Sequence, residues 1–275
     1  MKIAYFGYDP LFSCLDVFLQ KGYQLAVIYT GEDSRFSTEV IQFANKNRIN
    51  LCFTKPSLAD MQTLLRLGVE LFFSAEYPWK IPVPTDLKYA INVHPTLLPE
   101  GKGMTPLPHL ILKQSVYAGI TLHKLSNDFD AGDVLLQKAI SLDDDDTFDS
   151  LSDKIFQQTP DLLSLLLSDL DDYYQNSQTQ AKGSYWPSIT LEQQTLIWQQ
   201  PTAKLLTTLR AFGSLGTYAV IAGRACVITS ASGKCYQHSY YAGQVILSNE
   251  RHITVATADG ELRIPSTSLL WRALE

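Results

Sequence analysis

The chain has 275 residues, 45% of them hydrophobic and 18% charged, with a formal net charge of −6. That is enough apolar mass for one sizeable core or two unequal ones, and the acidic balance argues against a chain built as a whole to hold nucleic acid. No apolar run approaches the roughly 20 residues a membrane span needs, so no membrane partner is expected.

The N-terminus, Met1 to Gly7, reads as a strand that starts at once, Lys2 to Phe6. It has no charged region, apolar stretch and cleavage site in series, so no signal peptide is expected. Pro10 to Leu19 has helical spacing of Leu11, Cys14, Leu15, Phe18 and Leu19, and Gln24 to Tyr29 is a continuous apolar strand. Thr38 to Asn47 reads as a helix, Leu51 to Phe53 as a short strand, Leu58 to Leu67 as a helix and Val69 to Ser74 as a strand. Strands and helices alternating at this spacing predict βαβ units, a parallel sheet covered on both faces and a doubly wound, Rossmann-like α/β domain.

Lys88 to His94 and Gly119 to Leu125 are two further strands, separated by a loop rich in glycine and proline and a helix over Pro108 to Lys113. Val134 to Ile140 is extended, and Thr147 to Leu170 is a long helix with an apolar stripe. The acidic run Asp143 to Asp146 precedes it, where carboxylates suit the helix dipole, and is read as a cap rather than a metal site. The polar stretch from Tyr173 leads to a linker over 184–200, so the domains are expected at 1–183 and 201–275. The second begins with a helix over Thr202 to Arg210. Short strands follow at Gly216 to Val220, Arg224 to Ser230, Gly243 to Leu247, His252 to Ala256 and Glu261 to Ile264, with a hairpin turn at Asp259-Gly260. That pattern predicts a small C-terminal β-barrel or sandwich. Beyond Gln199 seven basic residues meet four acidic ones, a net +3, which leaves −9 for the rest.

Cys14, Cys52, Cys226 and Cys235 show neither CxxC pairing nor metal-ligand spacing. Reduced thiols in a cytoplasmic protein are expected. There is no GxGxxG, no P-loop and no GxSxG elbow.

In a doubly wound sheet, ligands bind beyond the carboxyl ends of the strands. Asn92 and His94 stand two apart at such an end, on one face of their strand. An amide N–H can stabilise a developing oxyanion and an imidazole can move a proton, which suits acyl transfer. Asp128, Asp130 and Asp133 follow the next strand, any of them able to orient the histidine. A buried structural histidine and a solvated acidic loop would carry the same residues. A metal site on His94, His123 and Asp130 lacks ligand spacing, and none is expected.

The stretch from Asn92-Val93-His94-Pro95-Thr96-Leu97-Leu98-Pro99 to Gly103, then Gly119 to Leu125, then Asp130-Ala131-Gly132-Asp133, resembles the N10-formyltetrahydrofolate-dependent formyltransferase family. Thr96 stands where that family usually has serine and Lys102 where it has arginine, a change that keeps the charge but loses the planar fork. The resemblance implies Asn92, His94 and Asp130 as catalytic residues and N10-formyltetrahydrofolate as co-substrate, without a metal. It places the pterin ring against Ser74, Tyr77, Trp79 and Ile81, with Gly132 and Asp133 on the opposite wall; Tyr77 and Trp79 read equally well as lids on the core. Tyr8, Asp9, Lys102 and Met104 fall on the acceptor side. Gly183 to Trp198 and Gly243 to Ile264 are similar to the linker and C-terminal β-barrel (OB-like) of the methionyl-tRNA enzyme.

The tRNA-acting members carry a basic insertion after the second strand. Here Gly31 to Ser37 is short and holds one arginine, Arg35, whereas RNA affinity rests on several Lys and Arg at phosphates. A small-molecule amine, an amino sugar on a nucleotide, is therefore the expected acceptor, with methionyl-tRNA ranked below it. Hydrolysis of the formyl-folate and a non-catalytic folate-binding module are the readings from other classes, and the intact trio speaks against the module. A homodimer stays open.

Overall fold

The computed structural model describes residues 1–272. The last three residues of the expected C-terminal domain, 273–275, lie outside the described residues. Two compact units divide the chain. The first comprises residues 1–104, 117–141 and 154–186, and the second comprises 105–116, 142–153 and the chain from Pro187 onward.

In the first unit seven strands form one sheet: β1 (Lys2–Gly7), β2 (Gln24–Tyr29), β3 (Asn50–Cys52), β4 (Val69–Ala75), β5 (Tyr89–Thr96), β6 (Ala118–Lys124) and β7 (Val134–Ala139). They lie in the order β3-β2-β1-β4-β5-β6-β7. The first five are parallel, in the order of a doubly wound sheet. β1 and β4 read as near-continuous apolar runs because almost every residue in them is buried, as expected of strands covered on both faces. β6 and β7 run antiparallel to their neighbours, so the sheet is mixed.

The helices α1 (Ser13–Gln20), α2 (Ser34–Asn47) and α3 (Leu58–Arg66) follow β1, β2 and β3. The α1 signal starts three residues earlier in the sequence than the α-helix does, because Asp9–Leu11 forms a single 3₁₀ turn. Asp33 caps α2, accepting the Arg35 backbone N–H at 3.0 Å, and Ser57 and Asp60 form a reciprocal capping box on α3. The core of this unit holds Ala4, Phe6, Val27, Tyr29, Met61, Phe72 and Ile81. Phe6 stacks on Tyr29 at 4.8 Å and meets the edge of Phe72 at 5.4 Å.

α4 (Pro106–Lys113) belongs to the second unit, and α5 (Phe148–Leu166) and α6 (Leu170–Gln175) follow β7. Thr147 and Ser150 exchange backbone and side-chain hydrogen bonds at the start of α5, and Asp146 accepts the Ser150 hydroxyl at 2.7 Å. After α7 (Thr202–Phe212) come β8 (Thr217–Ile221), β9 (Arg224–Ile228), β10 (Ser232–Cys235), β11 (Val245–Ser248), β12 (His252–Ala256), β13 (Gly260–Pro265) and β14 (Leu269–Trp271). They form an antiparallel four-stranded sheet, β10-β13-β12-β11, and a three-stranded one, β14-β9-β8. Both sheets and α7 feed one core that includes Leu205, Leu209, Ile221, Ile228, Val255 and Ile264. Among the described residues no helix is long and apolar enough to cross a membrane.

Phe72 is fully buried in the core of the first unit. Phe72→Ala is expected to cost about 3–5 kcal/mol, seen as a lowered melting temperature in a thermal denaturation scan.

Candidate active site

Strand order reverses between β1 and β4, so their carboxyl ends open the sheet's crevice. Gly7 and Ala75 are paired there. A Cβ on Gly7 would stand 2.4 Å from the Ala75 carbonyl oxygen, so only glycine lets the two strands close.

β5 lies next to β4 and carries Asn92 and His94 two residues apart. Across β6, Asn92 sits opposite His123 and His94 opposite Thr121. The hydrogen bonds fix both rings. His123 Nδ1 lies 2.8 Å from the Lys124 carbonyl, which can only accept, so Nδ1 carries the proton. His123 Nε2 is then an acceptor, and the Asn92 Nδ2 amide donates to it at 3.0 Å. This orients the carboxamide and leaves its second N–H without a protein acceptor among the described residues. His94 Nε2 donates to the Gly101 carbonyl at 2.9 Å. Its Nδ1 faces Asp130 Oδ1 at 3.4 Å, and His123 Nε2 lies 3.6 Å from the same oxygen.

Asp130 reaches this position from the loop between β6 and β7 with φ at +55°, a left-handed conformation that aspartate tolerates better than most residues. The Gly103 N–H donates to its Oδ2 at 2.9 Å. Gln180 Nε2 donates to the carbonyls of Asp130 and Gly132 at 2.9 and 2.6 Å. Gly132 has no room for a side chain, since a Cβ would stand 1.9 Å from the Lys124 carbonyl oxygen. Gly103 also has positive φ, and a Cβ there would meet the Trp186 carbonyl oxygen at 2.2 Å.

His94 and the Asp130 side chain are 5% and 10% exposed, dry enough for their charges to couple strongly. Burial pushes the His94 imidazole below its usual value, against the opposing pull of Asp130 and the Gly101 carbonyl. For Asp130, burial raises the carboxyl, but the Gly103 N–H, together with the His123 and His94 rings in their protonated forms, outweighs it and holds it below the usual carboxylate range. At neutral pH this pairs a neutral His94 with an ionised Asp130. Nδ1 is then the proton-accepting atom, and a proton arriving there is stabilised by the carboxylate.

The remaining candidates fall around this centre in different ways. Ser74 is buried and pairs with Asn92 across β4 and β5. Tyr77 meets the edges of Phe6 and Trp79 at 5.6 and 5.4 Å and stacks with Tyr8 at 6.4 Å. Its hydroxyl is buried without a hydrogen-bond partner. Ile81 lies within the core cluster itself. Asp133 faces Lys124 Nζ at 3.4 Å. Asp9 accepts the Val40 N–H of α2 at 2.9 Å and so ties β1 to that helix. Lys102 is held through its backbone by Ser184 and Trp186, and Met104 is exposed. His123 is the residue that the strand pattern undervalues: it reaches both Asn92 and Asp130. Among the described residues no group of three or more His, Cys, Asp or Glu is placed to hold a metal ion.

An open amide N–H, a neutral imidazole and a carboxylate at the carboxyl ends of a doubly wound sheet form a donor set suited to acyl-group transfer. The formyl transferase family profile matches residues 59–167, and the profile of the formyl transferase C-terminal domain matches residues 188–269. The chain belongs to the formyl transferase family. It is 26% identical to the methionyl-tRNA formyltransferase of Coprothermobacter proteolyticus over 203 residues, 72% of this chain and 66% of that enzyme, just under two thirds of its length. It is 25% identical to that of Lactobacillus johnsonii over 258 residues, 88% of this chain and 82% of that enzyme. In fold it is similar to the N-formyltransferase of Helicobacter canadensis, solved with folinic acid and dTDP-3-aminofucose: TM-score 0.72, 17% identity, covering 96% of this chain and 98% of that one.

Asp130 raises the His94 titration midpoint and burial lowers it. Asp130→Asn is therefore expected to move the midpoint of the His94 ring signals further down in an NMR titration. An unchanged midpoint would contradict the direct pairing.

Proposed function

We propose that this protein transfers the formyl group of N10-formyltetrahydrofolate to a primary amine, and that the amine belongs to an amino sugar carried on a nucleotide. The observation that carries the chemistry is the second Asn92 N–H, oriented by His123 and left open beside the His94–Asp130 pair. The donor set fits a formyl amide: one N–H for its oxygen and one imidazole for the proton. When bound, the folate supplies the formyl carbon. Asn92 donates to the oxygen on which charge develops, a contact worth about 10²–10³ in rate. His94 takes the proton of the attacking nitrogen at Nδ1 and returns one to the departing folate nitrogen, and Asp130 stabilises the ring while it is charged.

Tyr77 and Trp79, with Ser74 and Ile81 behind them, would form one wall for the pterin and Gly132 and Asp133 the other. Tyr8, Asp9, Lys102 and Met104 would meet the acceptor. The catalytic domain would span 1–183, the linker 184–200 and the C-terminal domain 201–275. Two sheets on one shared core support an OB-like barrel for that last domain. The same reading places the enzyme in the cytoplasm. A homodimer would cover apolar side chains left at the surface, such as Tyr241 and Leu270.

Two observations favour the amino sugar. Arg35, the single cation between Gly31 and Ser37, lies in the first turn of α2 and is bound to Asp33 at 2.5 Å, and the similarity to the Helicobacter canadensis enzyme spans nearly all of both chains. Methionyl-tRNA is the second acceptor, favoured by the C-terminal domain match and by the Coprothermobacter and Lactobacillus relatives.

The test is release of tetrahydrofolate from N10-formyltetrahydrofolate against a panel of amino-sugar nucleotides, charged initiator tRNA and no acceptor. Release that depends on a sugar nucleotide is expected. Release only with tRNA would reverse the ranking, release without acceptor would mean hydrolysis, and silence throughout would overturn the activity.

A further inference from the structure

Glu76 is the first residue past the end of β4, immediately after the Ala75 pairs with Gly7 of β1 and Val93 of β5. It stands at the point where strand order reverses, one residue beyond the register that aligns β4 with the strand of Asn92 and His94. Its backbone is held at φ +58°, a costly conformation for a glutamate, of the kind that collects at functional sites. By surface area the residue is exposed, so its carboxylate is open to an incoming group beyond the carboxyl ends of the strands, where ligands of a doubly wound sheet bind. No hydrogen bond or ion pair engages its carboxylate among the described residues. The ionisable groups that act on it or feel it are Asp130 from the β6–β7 loop and the Tyr5 phenol from β1, which also feels Asp9 and Cys14. None of these is a cation. With the Asp130 carboxylate acting on it, Glu76 presents a negative field to whatever enters.

The proposed formyl transfer, on which this inference rests, needs a free amine, but a primary amine at neutral pH arrives as an ammonium. We propose that Glu76 is the acceptor-reading residue: it pairs with the ammonium of the incoming substrate, selects it against a hydroxyl analogue, and takes the first of its protons. The ammonium gives one proton to the Glu76 carboxylate and becomes the neutral amine. The amine nitrogen bonds to the formyl carbon and the bond to the folate nitrogen breaks. The second proton passes through His94 to that folate nitrogen, and Glu76 returns its proton to water. Desolvation first, and then the Asp130 charge, push the Glu76 carboxyl up to about 7, close to the operating pH of a useful base. The group is charged above that value, so its contribution to amine capture grows as pH rises through it.

The experiment compares full-length wild type, Glu76→Gln and Glu76→Asp with the amine that wild type formylates in the panel above. Glu76→Gln is expected to raise KM for that amine at least tenfold and to remove the acid limb near pH 7 from the kcat/KM profile. Glu76→Asp restores part of both, and folinic acid binding stays within twofold of wild type. An unchanged KM and profile in Glu76→Gln overturns the proposal. If wild type formylates no amine, the proposed function fails instead. The carboxyl ¹³C titration of Glu76, assigned by its loss in Glu76→Gln, then decides. A midpoint near 7 that falls in Asp130→Asn upholds the acidic crevice, and an ordinary glutamate midpoint overturns it.

Discussion

The site depends on where one carboxylate is held. Asp130 is nearly dry, and an ionised carboxylate in that setting is costly unless its oxygens are engaged. Oδ2 accepts the Gly103 N–H, while Oδ1 faces His94 and His123. Gly103 can donate because it lacks a side chain and so packs against the Trp186 carbonyl. Gln180 clamps the backbone of Asp130 and Gly132, and Gly132 passes within a side chain's breadth of Lys124. Moving any of these groups would move the carboxylate, and with it the nitrogen of His94 that can carry a proton. The strained φ of Asp130 is thus maintained by four separate contacts rather than by its own preference.

The same constraint reaches Asn92 indirectly. The Lys124 carbonyl fixes the proton on His123 Nδ1, which makes Nε2 an acceptor and turns the Asn92 amide so that one N–H is left open. A carboxamide facing the other way would present its oxygen to a developing negative charge. Antiparallel β6 therefore does chemical work: its register places His123 directly across from Asn92. Glu76 brings a second carboxylate to the same crevice from β4, and the two acids divide the labour by environment. Asp130 is pushed down by its donors and Glu76, without donors, is pushed up.

Much of this was legible in the residues. The parallel strands β1 to β4 are short apolar runs with helices between them, and their shared direction follows from that alternation. Asn92 and His94 share a face because strands have a period of two. The direction of β6 and β7 was harder to read, since an apolar run carries no arrow. Only the nine residues between Lys124 and Val134, too few for a parallel crossover of a dozen or more, signalled the antiparallel turn. The role of His123 is hidden in the sequence for that reason, because its neighbour across the sheet follows only from the strand direction. β10 (Ser232–Cys235) carries no strand signal, because every residue in it is exposed and its Ser-Gly-Lys-Cys has no alternation. Glu76 gave no signal at all: its meaning comes from the crevice, not from its spacing.

The most direct measurement is turnover and folinic acid affinity determined side by side for wild type, His94→Ala and Asp130→Asn. The account predicts that each variant loses about a hundredfold or more in formyl transfer, the usual scale for a positioned proton-transfer group, while folinic acid binds within a few-fold of wild type. Near-normal turnover in either variant, or a loss of turnover that only follows a loss of folate binding, would contradict it.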